Sequence, residues 1–92
     1  MSLGGKGIIS ASANVAPETF VSIYDEMNAN NHAKALEHQM NLLPLINALF
    51  METNPAPAKK ALSIMGKIPS DSLRLPLVPV SSATEKALKA VL

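Results

Sequence analysis

The positions of the prolines constrain the fold of this 92-residue chain more than any other feature. Pro17 suits the first turn of a helix, where its missing N–H is not required. The stretch Asn54-Pro55-Ala56-Pro57 must form a turn, because a residue that precedes proline is pushed toward extended geometry. Pro76 and Pro79 exclude a regular β-ladder, so we expect residues 73–80 to form an extended arm whose alternate leucines and valines lie across helices. The prolines therefore predict helical segments joined by proline-rich connections.

Two helices are predicted in the N-terminal half of the chain. The first begins at Pro17 and presents one apolar stripe, made by Phe20, Ile23, Tyr24 and Met27. The second starts after Asn30 or Asn31, either of which suits an N-cap, and runs to about Phe50. It has one apolar stripe of Leu36, Met40, Leu43 and Phe50 and another of Leu42, Leu45 and Leu49. We therefore expect it to be the central, most buried helix, and we interpret Pro44 inside it as a kink around the core.

Two further helices are predicted in the C-terminal half. The third has Pro57 in its first turn and stops at Gly66, a natural left-handed cap. Its inward-facing residues are expected to be Ala58, Ala61, Leu62 and Met65. The last helix is indicated by Ser82-x-x-Glu85, which matches a capping box. It should bury the side that carries Ala87, Leu88 and Val91.

One short strand is predicted at residues 7–12, where the β-branched Ile8 and Ile9 follow flexible glycines. Nothing downstream has matching strand character, and an unpaired strand leaves its backbone donors and acceptors unsatisfied. This strand is therefore expected to pair with partners that the chain lacks. The predicted fold class is mostly α, with about four helices and one residual N-terminal strand.

Composition excludes several functional classes. With eight Lys and Arg against seven Asp and Glu, the net charge of +1 is too small to recruit nucleic acid or an anionic membrane surface. No apolar run approaches the length of a membrane span, and the absence of cysteine excludes disulfides and weakly favours a reducing compartment. We expect a cytoplasmic protein in which aliphatic and methionine side chains build a helical core.

The sequence offers little local chemistry. His32 and His38 are six residues apart and do not share a helical face, so no metal site is expected. The acidic residues Asp25, Glu26 and Glu37 are interpreted as surface charges. Gly4-Gly5-Lys6-Gly7 is not interpreted as a phosphate-binding loop, because it precedes a strand rather than a helix. Lys59-Lys60 contains too few basic residues to form a nucleic-acid-binding patch. No cofactor is expected.

Three motifs together resemble the C-terminal end of dihydrodipicolinate synthases. They are Gly4-Gly5-Lys6-Gly7-Ile8-Ile9-Ser10, Asn54-Pro55-x-Pro57-x-Lys59 and Leu73-Arg74-Leu75-Pro76-Leu77, and the resemblance covers the chain from Gly4 to about Leu88. It implies a piece of a (β/α)8 barrel enzyme about three times this length. That family condenses pyruvate with aspartate semialdehyde through a lysine Schiff base, in the lysine and diaminopimelate pathway. The implied parent enzyme is commonly a homo-oligomer.

The resemblance also implies a division of the chain. Residues 4–29 would be the last strand and helix of the barrel, residues 30–92 the helical extension, and residues 1–3 a start added to the native sequence, all within one compact unit. Ile9 falls at the position whose backbone lies beside bound pyruvate, and it is the one substrate-binding residue carried over. The Schiff-base lysine lies upstream, so Lys6, Lys59 and Lys60 have no catalytic role, and the chain alone is expected to be inactive.

Two alternatives remain open from the sequence. Sister enzymes such as N-acetylneuraminate lyase and keto-deoxy sugar-acid aldolases share the barrel and the Schiff base, although Asn54-Pro55-Ala56-Pro57 favours the dihydrodipicolinate branch. A different class is a stand-alone helical module whose second and third helices bind a partner helix or peptide. The unpaired strand favours the enzyme fragment, and such a fragment should expose apolar faces and associate into dimers or higher oligomers.

Overall fold

The computed structural model describes all residues from Met1 to Leu92 and consists of helices joined by irregular segments. A short 3-10 helix spans Ser12–Asn14, and it is followed by α1 (Pro17–Asn28), α2 (His32–Leu49), α3 (Ala56–Ile64) and α4 (Ser82–Val91). The chain forms two compact units, Met1–Leu43 and Pro44–Leu92, whose boundary falls within α2. The predicted number of α-helices is confirmed. None of them combines the length and the apolar character that a bilayer crossing requires.

The strand predicted at residues 7–12 is not formed in this structure. Residues 7–10 have no regular secondary structure, and Ser12 belongs to the 3-10 helix. Because a strand is stabilised by hydrogen bonds to a neighbour, β-branched residues alone do not produce one when no second strand lies beside them. Ile8 and Ile9 are both exposed in consequence.

Helix α1 begins with Pro17 in its first turn, as predicted, and ends in a Schellman motif. Asn30 adopts a left-handed conformation with φ of 57°. The N–H of Asn31 then donates to the carbonyl of Glu26 at 2.8 Å, and the N–H of Asn30 donates to Met27 at 3.1 Å. Asn30 therefore terminates α1, whereas Asn31 directly precedes α2 and its carbonyl accepts the N–H of Ala35.

Helix α2 buries only one of its two predicted apolar stripes. Leu42, Leu45 and Leu49 are buried, together with Ala35 and Ala48. The other stripe, made by Leu36, Met40, Leu43 and Phe50, is exposed. The prediction that this helix is the central, most buried one is therefore wrong for that second face. The helix does continue through Pro44 and ends within one residue of the predicted position.

Helix α3 begins and ends as the sequence indicates. Pro57 lies in the first turn, and Gly66 follows the last turn with φ of 71°. The N–H of Lys67 donates to the carbonyl of Leu62 at 2.9 Å, and that of Gly66 donates to Ser63 at 3.0 Å, which completes a second Schellman motif. Met65 is exposed rather than inward-facing, because it already belongs to the C-terminal turn.

Helices α3 and α4 pack against each other and form the core of the unit Pro44–Leu92. Ala61 on α3 and Leu88 on α4 are fully buried. Small residues on α3 allow this close approach, since Ala56, Pro57 and Ala58 are buried as well.

The segment between α3 and α4 is only partly the extended arm that the prolines predict. The N–H of Leu77 donates to the carbonyl of Arg74 at 3.0 Å across a cis Leu75-Pro76 bond, which is the geometry of a type VI turn. Leu73 and Leu77 are half-buried, as expected for residues that lie against helices. Leu75, inside the turn, and Val78, directly after it, are instead exposed.

Candidate functional site

The unit Met1–Leu43 contains an open groove of about 710 Å³, which we call the apolar groove. Most of its lining comes from the α1 stripe and the start of α2, with Ile8 from the N-terminal segment. Its lining includes Ile8, Val21, Tyr24 and Leu36, and each of them is exposed. Tyr24 and His32 are the only ionisable side chains among the lining residues. The groove therefore suits apolar contact and lacks the paired acid and base that proton-transfer chemistry requires.

Ile9, the predicted substrate-binding residue, lies on the N-terminal segment and is fully exposed. Its neighbour Ile8 lines the apolar groove, whereas Ile9 does not. Residues that alternate in this way are typical of extended backbone, in which successive side chains point in opposite directions.

The two adjacent lysines of α3 are both held by the segment that follows the helix. Lys59 Nζ donates to the carbonyl of Ser72 at 2.9 Å. Lys60 Nζ lies 3.4 Å from a carboxylate oxygen of Asp71 and 3.5 Å from one of Glu85. Burial acts to lower the pKa of Lys60, but the negative charges of Asp71 and Glu85 outweigh it and raise the pKa above its ordinary value. A lysine nucleophile needs the opposite shift, so Lys60 is unsuited to Schiff-base chemistry.

The other polar residues noted in the sequence lie at or near the surface. Glu37 pairs with Lys34 on the exposed surface of α2, with 3.3 Å between Lys34 Nζ and a Glu37 carboxylate oxygen. His32 is exposed and His38 is half-buried. Asp25 is also exposed, which agrees with its interpretation as a surface charge.

The predicted capping box of α4 is wrong by one residue. The N-cap is Ser81, whose hydroxyl accepts the N–H of Thr84 at 3.3 Å. Glu85 is therefore one position too late to close a capping box, and it pairs instead with Lys60 and with Lys89, whose Nζ lies 2.9 Å away. The carboxylate that completes the cap comes from Glu52.

Glu52 lies in the connection between α2 and α3, and one of its carboxylate oxygens accepts two hydrogen bonds from Ser81. The backbone N–H of Ser81 donates at 2.9 Å and its hydroxyl donates at 3.0 Å. Hydrogen bonds from the Thr84 side chain and from the Ser81 backbone lower the pKa of Glu52, although partial burial acts in the opposite direction. No local sequence pattern could have revealed this cluster, since Glu52 and Ser81 are 29 residues apart.

Comparison with solved structures defines the class of protein to which this arrangement belongs. The chain is similar to the crystal structure of dihydrodipicolinate synthase from Thermotoga maritima, with a TM-score of 0.93 and 47% sequence identity. The match covers 98% of this chain and 30% of that one. The helices described above are therefore shared with (β/α)8 barrel enzymes of the dihydrodipicolinate synthase type.

The sequence comparisons identify the family. The profile of the Dihydrodipicolinate synthetase family matches residues 1–92, and the chain belongs to that family. Among curated relatives, the 4-hydroxy-tetrahydrodipicolinate synthase of Thermotoga neapolitana is 49% identical over 89 residues, which are 97% of this chain and 30% of the relative. That of Syntrophus aciditrophicus is 45% identical over 92 residues, which are 100% of this chain and 31% of the relative. The predicted resemblance is confirmed, and the chain spans about a third of the length of these relatives.

Proposed function

We propose that this chain is part of a 4-hydroxy-tetrahydrodipicolinate synthase, a lyase that condenses pyruvate with aspartate semialdehyde through a lysine Schiff base. Such an enzyme serves lysine and diaminopimelate biosynthesis. The observation that carries this proposal is the identity of 45% along the whole chain with a relative of that name. The same similarity favours this reaction over those of the sister aldolases.

Within that enzyme, we assign residues 7–10 to the eighth strand of the barrel and α1 to the eighth helix. Residues 30–92 then form the helical extension. The exposed Ile8 and Ile9 support this assignment, because an irregular segment with β-branched side chains has the character of a strand without its neighbours. In a paired strand, the backbone of Ile9 would lie beside bound pyruvate, at the end of the barrel where such enzymes place their chemistry.

The 92-residue chain by itself is proposed to be inactive. Its Lys60 is paired with Asp71 and Glu85, and the raised pKa of this lysine disfavours the neutral amine that attacks a carbonyl. Lys59 donates to a backbone carbonyl instead of facing a cavity. The Schiff-base lysine would come from the remaining two thirds of a family-length protein.

The apolar groove is proposed to receive other parts of the barrel. Its exposed lining residues, among them Val21, Tyr24 and Leu36, are too apolar for a surface that stays in water. We also propose that the family-length protein is a cytoplasmic homo-oligomer, as membership of this enzyme family implies.

A chimeric enzyme tests the proposed activity. This chain would replace the matching 30% of the Thermotoga neapolitana relative, and the product would be treated with pyruvate and borohydride. We expect a pyruvyl adduct on a lysine outside the exchanged segment, and condensation activity with aspartate semialdehyde. The 92-residue chain treated in the same way should remain unmodified.

Substitution of Ile9 by glycine in the chimera tests the assigned site. Loosening the backbone beside pyruvate should lower kcat/KM for pyruvate by about tenfold, mainly through KM, because misplacement of the substrate is costly. Ala90→Gly, on the exposed side of α4, serves as the control for a loosened backbone and should change kcat/KM little, since it lies outside the assigned segment. A folded chimera without condensation activity would contradict the proposed function, and an Ile9→Gly variant with unchanged kinetics would contradict the site.

A further inference from the structure

The N-terminal end of α4 is closed by a residue that does not belong to the helix. In a capping box, the residue at the third helical position reaches back to the backbone N–H of the N-cap. That position is occupied by Thr84, whose N–H donates to the Ser81 hydroxyl. The acceptor for the Ser81 N–H is the carboxylate of Glu52, at 2.9 Å.

The hydrogen bonds at this end form one connected set, and they require an acceptor at Glu52. Ser81 uses its hydroxyl proton toward the Glu52 carboxylate, at 3.0 Å, which leaves its oxygen free to accept from Thr84. The two hydroxyl oxygens of Ser81 and Thr84 are 3.2 Å apart. An ionised carboxylate only accepts hydrogen bonds, and such charge-assisted bonds are about twice as strong as neutral ones.

We infer that Glu52, Ser81 and Thr84 form a latch that holds the first turn of α4 while the Glu52 carboxylate is ionised, so that the docking of this helix end is sensitive to acid. The rest of α4 is held independently by the buried Leu88 and by the pairing of Glu85 with Lys60. Opening of the latch therefore frees the first turn without undocking the remainder of the helix.

The direction of the pH dependence follows from Glu52. Its pKa is lowered in the folded chain from an ordinary value of 4.5, and the causes are hydrogen bonds rather than neighbouring charges. A carboxylate with a lowered pKa contributes stability above its unfolded pKa, and this contribution is lost as the pH falls through the folded value. The latch should therefore be closed at neutral pH and should open in acid.

Other charged groups lie on the elements packed around this helix end, and their effects must be separated from that of Glu52. Lys60 pairs with Asp71 and Glu85, and Glu85 also pairs with Lys89. The charged groups on α3, on the segment that follows it and on α4 are Lys59, Lys60, Lys67, Asp71, Arg74, Glu85, Lys86 and Lys89. Of these, Glu85 has a lowered pKa, because Lys89 hydrogen-bonds to its carboxylate and the charge of Lys60 lies close to it, and Glu85 therefore gives α4 an acid sensitivity of its own.

Amide hydrogen exchange measured by NMR tests the latch in the 92-residue chain. Between about pH 7 and about pH 3, the protection of the Thr84 and Glu85 amides should fall about fivefold, while that of Leu92, whose N–H donates to Leu88, should fall less. Glu52→Gln keeps an acceptor oxygen but cannot ionise, so the fall in its Thr84 protection over this range should shrink to the smaller part that Glu85 contributes. Glu85→Gln should retain most of the pH dependence.

A charge substitution at Ser81 separates the latch from ordinary capping. Aspartate is as good an N-cap as serine, so a role limited to capping predicts that Ser81→Asp leaves α4 unchanged. The latch predicts about fivefold lower protection of Thr84, because two carboxylates would face each other, and recovery when Glu52→Gln is added. Undiminished protection in Ser81→Asp, or a pH dependence that persists in Glu52→Gln and disappears in Glu85→Gln, would overturn the inference.

Discussion

Two residues in left-handed conformation end the first and third α-helices, and each is held by the same pair of backbone hydrogen bonds. Gly66 has φ of 71° and Asn30 has φ of 57°. Glycine adopts this region freely, and asparagine is the residue that tolerates it best among those with a side chain. Asn30 therefore keeps its left-handed conformation in spite of its Cβ, whereas adding a Cβ at Gly66 should cost free energy of folding.

Gly66→Ala should destabilise the chain by about 1 kcal/mol. A Cβ at Gly66 meets no atom within 4 Å, so the cost comes from the backbone conformation and not from crowding. Gly7→Ala is the matched control, since its Cβ is equally unhindered and its backbone conformation is an ordinary one. Urea unfolding followed by circular dichroism should show a lower midpoint for Gly66→Ala alone, at an unchanged slope. Equal midpoints for the two variants would show that the left-handed cap contributes nothing.

Some residue roles could be predicted from the sequence because they depend on local signals. Gly66 follows an apolar stripe and can serve in few ways other than as a helix stop, so its position was predicted correctly. Asn30 could equally well end one helix or begin the next, and only the left-handed backbone decides between them. The sequence pattern predicts Ser82 as the N-cap of the last helix, whereas Ser81, which Glu52 binds, has this role in the structure. Local sequence patterns do not predict contacts between residues that are far apart in the chain.

At the scale of elements, the pair α3 and α4 depends on small side chains at the contact. Ala61 is fully buried on α3, so a larger residue there has no space. Ala61→Leu should destabilise the chain by about 1–3 kcal/mol, because added methylene groups force the two helices apart. Ala90→Leu on the exposed side of α4 adds the same atoms and should change stability by less than about 0.5 kcal/mol.

Thermal unfolding of the two alanine variants supplies the measurement. A fall in Tm for Ala61→Leu, with Ala90→Leu close to the unsubstituted chain, is the expected pattern. Similar Tm values for both variants would mean that α3 and α4 can separate without loss of stability, which the complete burial of Leu88 argues against.

The elements themselves were predicted better than their packing. Helix ends follow from prolines, glycine and cap residues, so α1, α2 and α3 begin or end within about one residue of the positions expected. Which apolar face becomes buried depends on what lies opposite, and the exposed face of α2 shows that hydrophobicity alone does not decide it. The strand at residues 7–12 was predicted from β-branched side chains, yet its formation depends on neighbours that these 92 residues do not provide.

At the scale of the whole molecule, several of the exposed apolar residues are grouped on one surface. Ile8, Val21, Tyr24 and Leu36 are exposed and all line the apolar groove. Grouped apolar side chains of this kind drive association in water, whereas single exposed ones are common and harmless. The proposed role of Ile9 also depends on parts of the barrel outside these 92 residues. For this reason, Ile9 could be predicted as a site residue only from the family resemblance.

We therefore expect the 92-residue chain to self-associate through the apolar groove. The double variant Val21→Gln and Leu36→Gln should weaken association by about tenfold or more, because each burial of a large aliphatic side chain is favourable by about 1.5–3 kcal/mol. Both side chains are exposed within the chain, so the substitutions should leave its own stability nearly unchanged.

Leu75→Gln is the control, since Leu75 is exposed but does not line the groove. The mass measured by light scattering should rise with concentration for the unsubstituted chain and for Leu75→Gln, and should stay near that of a monomer for the double variant. If the unsubstituted chain were monomeric at every concentration, the groove would be stable in water on its own, and its role as a surface for the rest of a barrel would lose its physical basis.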